Sequence, residues 1–363
     1  MSESLRTVLL FGGRSAEHDV SLLSARSVAA AAPKARIDII PICIARDGLF
    51  LSPERSGAVL AGTERSDHGD AGFLFEAWAR REHPDVVFPL VHGTQGEDGA
   101  LQGYLEILGL PYVGSGVTAS AIGMDKAAMK YAFAAAKLPM IDYVQVREHD
   151  WKNDRERILR SVNNALRLPY FVKPANGGSS IGITKVKADA DLAAAVETAL
   201  QFDDKVLVER GVDAREIEVS VLGNDLPEAS LPGEIVSAGD WYGYEEKYLA
   251  RGSELIIPAK LAKDKTEEIR RLAVTAFKAI GAAGFSRVDF FLERGTNRLY
   301  LNEINTVPGF TKISMYPKLW EATELKYPRL IERLVELGME RFAMRTARQE
   351  RVLQWLAGSK PLS

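Results

Sequence analysis

The sequence predicts a protein of mixed α/β and α+β class, with an N-terminal parallel-sheet domain of Rossmann-like layout followed by two mixed subdomains. Three observations predict it. Residues 1–120 alternate short apolar runs with helix-like stretches, the pattern of a parallel sheet flanked by helices. Residues 121–215 mix strands and helices over a length suited to one α+β unit. Residues 216–345 contain two apolar, strand-like runs joined by turn formers. A tail, 346–363, has no readable pattern. At 363 residues the chain is too long for one ordinary core, so two or three domains are expected.

In the first domain, Thr7 to Phe11, Ile37 to Ile44, Val86 to Val91 and Pro111 to Val113 read as strands. The first runs into Gly12-Gly13-Arg14-Ser15-Ala16-Glu17-His18-Asp19-Val20-Ser21, a strand, turn and helix start at the kind of edge where ligands gather. Glu17 reads equally as a first-turn acid favoured by the helix dipole or as a substrate contact. Residues 52–72, rich in Gly, Ser, Asp and Glu, read as a surface excursion. His92 opens a second Gly-rich polar loop, His92 to Gly99, directly after an apolar strand. A hydrogen-bonded structural histidine competes with a substrate contact there. Gly114-Ser115-Gly116-Val117-Thr118-Ala119 fits the Gly-x-Gly-x-x-Ala dinucleotide pattern superficially, but a loop leading to the Ala-rich helix of Asp125 to Lys137 explains it as well.

In the middle segment, Pro169 to Val172 and Ile183 to Val186 read as strands joined by Lys173-Pro174-Ala175-Asn176-Gly177-Gly178-Ser179-Ser180-Ile181-Gly182. Such a loop lets backbone N–H groups approach phosphate oxygens without a Cβ in the way, and Lys173 adds a fixed positive charge. No Gly-Lys dipeptide exists, so this is not a P-loop. Taken alone, a Gly/Ser loop is more often a flexible turn. A helix at Asp189 to Leu200 and a strand at Lys205 to Glu209 complete the segment.

The last segment carries Glu216 to Leu222, a polar aromatic stretch at 239–252, a helix and a hairpin. The helix has Ile269, Leu272, Ala273, Ala276, Phe277 and Ile280 at three- and four-residue steps, with Asp264 and Glu267 spaced as a capping box. In the hairpin, Phe285 to Leu292 and Leu299 to Asn305 flank Arg294-Gly295-Thr296-Asn297. Period-two alternation puts Arg287 with Asp289, and Glu303 with Asn305, on one face each, and folding back brings Asp289 opposite Glu303 or its neighbour. Oxygen donors of this kind suit Mg²⁺ or Mn²⁺ shared with substrate phosphates. A solvated surface hairpin is the competing reading, and the apolar flanks speak against it. An amphipathic helix at Pro328 to Arg345 ends the patterned sequence.

Composition narrows the function. Hydrophobic residues are 46% and charged residues 26%, the mix of a soluble globular protein. A formal net charge of -3 without a Lys/Arg block offers nothing to nucleic acid or an anionic membrane. No apolar run is long enough to span a bilayer, and Met1-Ser2-Glu3-Ser4 lacks the layout of a signal peptide, so a cytoplasmic location is expected. Cys43, the only cysteine, reads as a buried strand thiol. The five histidines show no zinc spacing.

Taken together, the segments from Gly12 to Ser21, His92 to Gly99, Met124-Asp125-Lys126, Lys173 to Gly182, Tyr242 to Tyr248, Arg287-Val288-Asp289 and Asn302-Glu303-Ile304-Asn305-Thr306-Val307-Pro308-Gly309 through Ser314-Met315 strongly resemble those of the D-alanine:D-alanine ligases of the ATP-grasp superfamily, over about residues 5–340. The resemblance implies an ATP-grasp fold and an ATP-dependent ligase that joins two D-alanines through an acyl phosphate for peptidoglycan precursor synthesis. It implies Lys126, Lys173 and Lys247 on the phosphates, with Ser179, Ser180 and Asn302 also about the nucleotide, and Glu209 and Glu216 as acceptors for its amino and ribose groups. Two Mg²⁺ or Mn²⁺ ions would be held by Asp289, Glu303 and Asn305, with room for a monovalent cation besides. Arg287 and the Gly309 N–H would stabilise the tetrahedral oxyanion. Glu17 would anchor the first D-alanine's ammonium, His92 would lie near its carboxylate, and Ser314 with the Met315 backbone would receive the second carboxylate. Ser179 and Tyr248 would hydrogen-bond toward Glu17, and Tyr248 goes with an amine as nucleophile. Gly243 departs from the family's usual Asp. A homodimer is also implied.

Overall fold

The computed structural model describes residues 4–236 and 254–358. Strands β1 (Leu5–Gly12), β2 (Ile37–Ile44) and β3 (Val86–Pro89) form a parallel sheet in the order β2-β1-β3. Helices α1 (His18–Ala31), α2 (Pro53–Ala61), α3 (Phe75–Glu82) and α4 (Ala100–Ile107) accompany it. The central strand is apolar at successive positions because both of its faces are covered. Val8 and Leu10 join one core with Phe75 and Trp78, while Leu9 and Phe11 join another with Val28 and Phe88. The fourth expected strand, Pro111 to Val113, is reduced to one parallel bridge from Tyr112 to Val87. Gly109 and Gly114, both at positive φ, bend the chain away on either side.

Helices α5 (Val117–Met124) and α6 (Lys126–Ala135) follow, with Asp125 capping α6 by accepting from the Ala127 and Ala128 N–H groups. The next sheet is antiparallel, β4 (Tyr143–Arg147), β5 (Tyr170–Pro174), β6 (Thr184–Val186) and β7 (Lys205–Arg210), in the order β4-β7-β5-β6. Helices α7 (Glu148–Asn153), α8 (Arg155–Ala165) and α9 (Leu192–Ala199) pack on it through Trp151, Ile158, Val162 and Val196.

The largest sheet runs β11-β10-β8-β12-β13, with β9 on β8. Its strands are β8 (Ala214–Gly223), β9 (Glu228–Ala229), β10 (Gly233–Val236), β11 (Glu254–Ile256), β12 (Gly284–Glu293) and β13 (Leu299–Asn305), accompanied by helices α10 (Lys263–Ala279), α11 (Met315–Ala322) and α12 (Tyr327–Gly358). Alternation sorts each strand into two faces. Ile217, Val219, Val221, Val288 and Phe290 pack with Phe133 and Phe277 in the core. Glu216, Glu218, Arg287 and Asp289 fall on the other face, which lines the cleft.

Two expected details differ. Helix α10 starts at Lys263 after Ala262, which takes the extended conformation of a cap and makes no side-chain cap bond. Asp264 therefore lies inside the first turn, and Glu267 pairs with Arg270 at 3.1 Å instead of closing a capping box. The last helix runs on through the expected tail to Gly358, since no proline or glycine interrupts it after Gly338. Its first half, Leu330 to Leu337, is built into the N-terminal core beside Leu9 and Phe88. Farther on, the Arg341 guanidinium lies 4.2 Å from the Tyr112 ring centre, and Arg345 pairs with Glu106 at 2.8 Å.

Candidate active site

The hairpin takes the expected register: Arg287 pairs across with Asn305 and Asp289 with Glu303, before a register shift between Asp289 and Phe290. On its other side β12 pairs with β8, which sets Glu218 directly across from Asp289. Three carboxylates thus stand in a row over three strands. Arg287 reaches Asp289 through Nε and Nη2, both at 2.7 Å, and Glu218 through Nε at 3.1 Å. Burial works against its charge, yet Asp289, Glu218 and Glu303 raise the guanidinium pKa well above the ordinary value. Asn305 Nδ2 donates to Asp289 Oδ2 at 3.0 Å, which leaves the Asn305 amide oxygen as a donor for a cation. Among the described residues no three His, Cys, Asp or Glu side chains form a ready-made metal cage. Two carboxylates and an amide oxygen fit a hard divalent cation that completes its shell with water and phosphate.

A second group closes over the first sheet. The Ser179 hydroxyl donates to Glu17 Oε1 at 2.5 Å, joining segments 162 residues apart. Ser179 and Ser180 both sit at positive φ, 54° and 59°. An L residue there is strained by about 1–2 kcal/mol, so the loop keeps a hydroxyl where glycine would be easier. A Cβ on Gly178 or Gly93 would come within 2.8 Å of Glu17 Oε2, so both loops close on that carboxylate by lacking side chains. Lys126, at the start of α6, is tied to the same loop: its N–H donates to the Ala175 carbonyl at 2.9 Å and its Nζ to the Gly177 carbonyl at 2.8 Å. Its Nζ also lies 3.8 Å from Glu303.

His92 is buried with both ring nitrogens engaged, Nδ1 with the Val307 carbonyl at 3.0 Å and Nε2 with Ser24 Oγ at 2.9 Å. Burial alone would lower its pKa, but Glu97, whose Oε1 lies 3.6 Å from Nδ1, together with Glu17 and the Val307 carbonyl raises it. Burial first, and then the charge of Glu17, raises Glu97 as well, against the pull of His92 and the Gly93 N–H. At the far end Ser314 precedes α11 and its Oγ contacts the Thr311 hydroxyl at 2.7 Å, while Met315 opens the helix. Helix N-termini of this kind receive carboxylates. Gly309 lies beside Ser314, 3.3 Å from its Oγ were a Cβ present.

One cleft gathers all the described site residues named from the sequence except Lys173 and Glu209. These two are buried together behind its wall, Lys173 Nζ 2.5 Å from Glu209 Oε2. Lys247 and Tyr248, with Gly243 and the 239–252 stretch, lie outside the described residues. Sequence reasoning missed Glu218 and Lys130. Glu218 shares a strand face with Glu216, two residues away, and that spacing was the available signal. Lys130, whose Nζ is 2.9 Å from Glu209 Oε1, falls one helical turn after Lys126.

Comparison with known proteins adds to this geometry. Residues 6–115 match a family model described as D-ala D-ala ligase N-terminus, and residues 132–336 match one described as D-ala D-ala ligase C-terminus. The chain is 46% identical over 345 residues to a D-alanine--D-alanine ligase of Heliobacterium modesticaldum, covering 92% of this chain and 94% of the relative. It is 47% identical over 339 residues to one of Halothermothrix orenii, covering 93% and 98%. Among solved structures, the D-alanine-D-alanine ligase from Coxiella burnetii superposes with a TM-score of 0.80 at 35% identity, covering 99% of this chain and all of the other. The VanG D-Ala:D-Ser ligase from Enterococcus faecalis gives 0.78 at 31% identity, covering 93% and 100%.

Proposed function

The chain belongs to the D-alanine–D-alanine ligase family, and on that premise we propose how its own residues carry the reaction. It is an ATP-dependent ligase that joins two D-alanines into D-alanyl-D-alanine for peptidoglycan precursor synthesis. The γ-phosphoryl group of ATP passes to the carboxylate of one D-alanine. The amine of the second then attacks the acyl carbon, and the tetrahedral intermediate expels phosphate.

Residues 121–215 and 216–345 grip ATP, while 1–120 supply much of the first substrate's site. Lys126, Lys173 and Lys247 offset the negative charge of the phosphates, which two approaching anions otherwise oppose. Ser179, Ser180 and Asn302 complete the nucleotide contacts, and Glu209 and Glu216 accept from its amino and ribose groups. Asp289, Glu303 and Asn305 hold two Mg²⁺ or Mn²⁺ ions, which, when bound, supply positive charge to the phosphate oxygens. A monovalent cation is the remaining cofactor this reading admits. Glu17 takes the first ammonium, and His92 lies near the first carboxylate with both of its ring nitrogens already engaged. Arg287 and the Gly309 N–H stabilise the oxyanion; Ser314 and the Met315 N–H hold the second carboxylate. Ser179 and Tyr248 tie the loops to Glu17, excluding water from an acyl phosphate that water would destroy. The enzyme works as a cytoplasmic homodimer, with no nucleic acid or membrane partner. No helix among the described residues is long and apolar enough to cross a membrane.

The observation that carries this reading is the register that puts Glu218, Asp289 and Glu303 in a row with Arg287 among them. Likeness to a D-Ala:D-Ser ligase supports a second reading, D-serine as the attacking amine. The test supplies purified protein with ATP, Mg²⁺ and D-alanine, alone and with D-serine or D-lactate, with L-alanine as control, and reads phosphate release and product masses. Dipeptide of D-alanine alone is expected. A mixed product in the D-serine mixture would move the assignment to the second reading, and no release with any substrate would sink both.

A further inference from the structure

We propose that Lys130 is the standing counter-ion of Glu209, and that it frees Lys173 to leave that carboxylate for the phosphates of the nucleotide. This rests on the reading of Lys173 and Glu209 as nucleotide-site residues. Three elements build the cluster: α6 brings Lys130, β5 Lys173 and β7 Glu209. Glu209 pairs across β7 with Phe171 on β5 and Tyr143 on β4, so its side chain shares a sheet face with Lys173, two residues beyond Phe171.

The charge count is the informative feature. One carboxylate faces two ammonium groups, Lys173 at 2.5 Å from Oε2 and Lys130 at 2.9 Å from Oε1. All three residues are buried, with relative exposures of 3% for Glu209, 8% for Lys173 and 1% for Lys130. A buried pair is tolerated when its charges cancel, whereas a third charge is a cost that folding alone does not explain. An anion arriving beside the cluster would use the surplus.

Position says which lysine moves. Lys173 stands where β5 gives way to the Gly/Ser loop, one residue before Pro174, which lines the cleft. Lys130 is held inside α6 with its Nζ 5.0 Å from the centre of the Tyr143 ring, the more deeply buried of the two. When Lys173 swings to phosphate, Glu209 keeps Lys130 and no carboxylate is left buried without a partner. Without Lys130, departure of Lys173 would strand that carboxylate, so Lys173 would stay on it and ATP would bind weakly. Lys130 is thus a positioning residue that touches no substrate.

The test measures ATP binding by calorimetry, with Mg²⁺ and no D-alanine, and steady-state kinetics for the Lys130→Met, Lys130→Arg, Glu209→Gln and Lys173→Met enzymes and the Lys130→Met/Glu209→Gln double variant. Lys130→Met should weaken ATP binding and raise its KM by about 10–100-fold, the range seen when an outer partner of a functional ligand is removed. KM for D-alanine should be unchanged and kcat much less affected. Lys130→Arg should restore ATP affinity. In the Glu209→Gln background the Lys130 substitution should cost little more, because no carboxylate remains to hold Lys173. Should the methionine chain fail to fold, Lys130→Gln replaces it in both backgrounds. ATP affinity unchanged on losing Lys130, or an equal loss in both backgrounds, would overturn the proposal. If Glu209→Gln and Lys173→Met themselves leave ATP binding unaltered, the nucleotide-site reading fails and this inference falls with it.

Discussion

Two charge clusters flank the cleft, and their balances are opposite. Behind one wall, a single carboxylate, Glu209, lies between two ammonium groups. On the floor, a single guanidinium, Arg287, lies between Glu218 and Asp289, with Glu303 beyond. Each is a pair with charge to spare, one ammonium beyond the pair in the first and two carboxylates beyond it in the second, an arrangement that contributes little to stability in a partly dry interior. What it offers is readiness: the first carries a surplus suited to phosphate, the second a surplus suited to divalent cations. Charge already held near a ligand's place limits the reorganisation on its arrival, and in the proposal for Lys130 only Lys173 has to move.

Breaking the acidic cluster should have the largest effect. Arg287→Met removes the charge that holds Glu218 and Asp289 together, and with it the donor proposed for the oxyanion. We expect kcat to fall by ~100-fold or more and stability by about 3–5 kcal/mol, part of it regained when Mn²⁺ is added. Steady-state rates and melting with and without Mn²⁺ check both expectations; an unchanged kcat would remove Arg287 from the chemistry.

The lysine cluster is sharpened by pH. Burial would raise the Glu209 pKa, but Lys173 and Lys130 bring it down to about 2. A depressed carboxylate contributes stability fully above its unfolded pKa, and that contribution is lost as pH falls through the folded value. The window therefore runs from about 4.5 down to about 2, and the contribution is roughly 3 kcal/mol. Urea unfolding of wild type and Glu209→Gln should show a stability gap that closes across this window. A gap that stays constant would mean that Glu209 does not titrate as described.

Ser179 joins the two halves of the cleft, and its loss should be smaller. Removing one hydrogen bond to a charged group costs about 1.5–3 kcal/mol, so Ser179→Ala should lower kcat/KM for D-alanine by roughly tenfold or more. Ser179→Gly should lose as much activity yet melt no lower than the alanine variant, because glycine tolerates the positive φ at that position. A glycine enzyme with wild-type kinetics would separate the 2.5 Å contact from function. The mildest change lies far from both clusters, at the exposed end of α12: Leu353→Gln should shift stability by less than about 0.5 kcal/mol in the same unfolding assay.

How much of this was legible depends on how far each signal reaches along the chain. Alternation within ten residues was enough to put Arg287 and Asp289 on one face, and the turn at 294–297 set Asp289 across from Glu303. Composition marked the Lys173 loop as rich in Gly and Ser but by itself favoured a flexible turn, and only the other segments beside it pointed to phosphate. Glu218 and Lys130 were missed because their partners come from other elements: Glu218 meets Asp289 only when β8 joins β12, and Lys130 meets Glu209 only when α6 packs beside β7. Pro111 to Val113 has strand composition, but the flanking glycines permit a single bridge. Asp264 had the right spacing for a cap and the wrong backbone, since Ala262 takes the extended conformation. The end of α12 was set too early because the sequence beyond Arg345 has no apolar stripe for the core, although its residues are good helix formers.

The most direct test of the opposed clusters is a calorimetric titration of Mn²⁺ into wild type and Asp289→Asn, with a non-hydrolysable ATP analogue saturating in both. The account predicts tight Mn²⁺ binding to wild type and at least roughly tenfold weaker binding to the variant. Equal affinities would contradict it, because the acidic row on the hairpin would then not be where the cation is held.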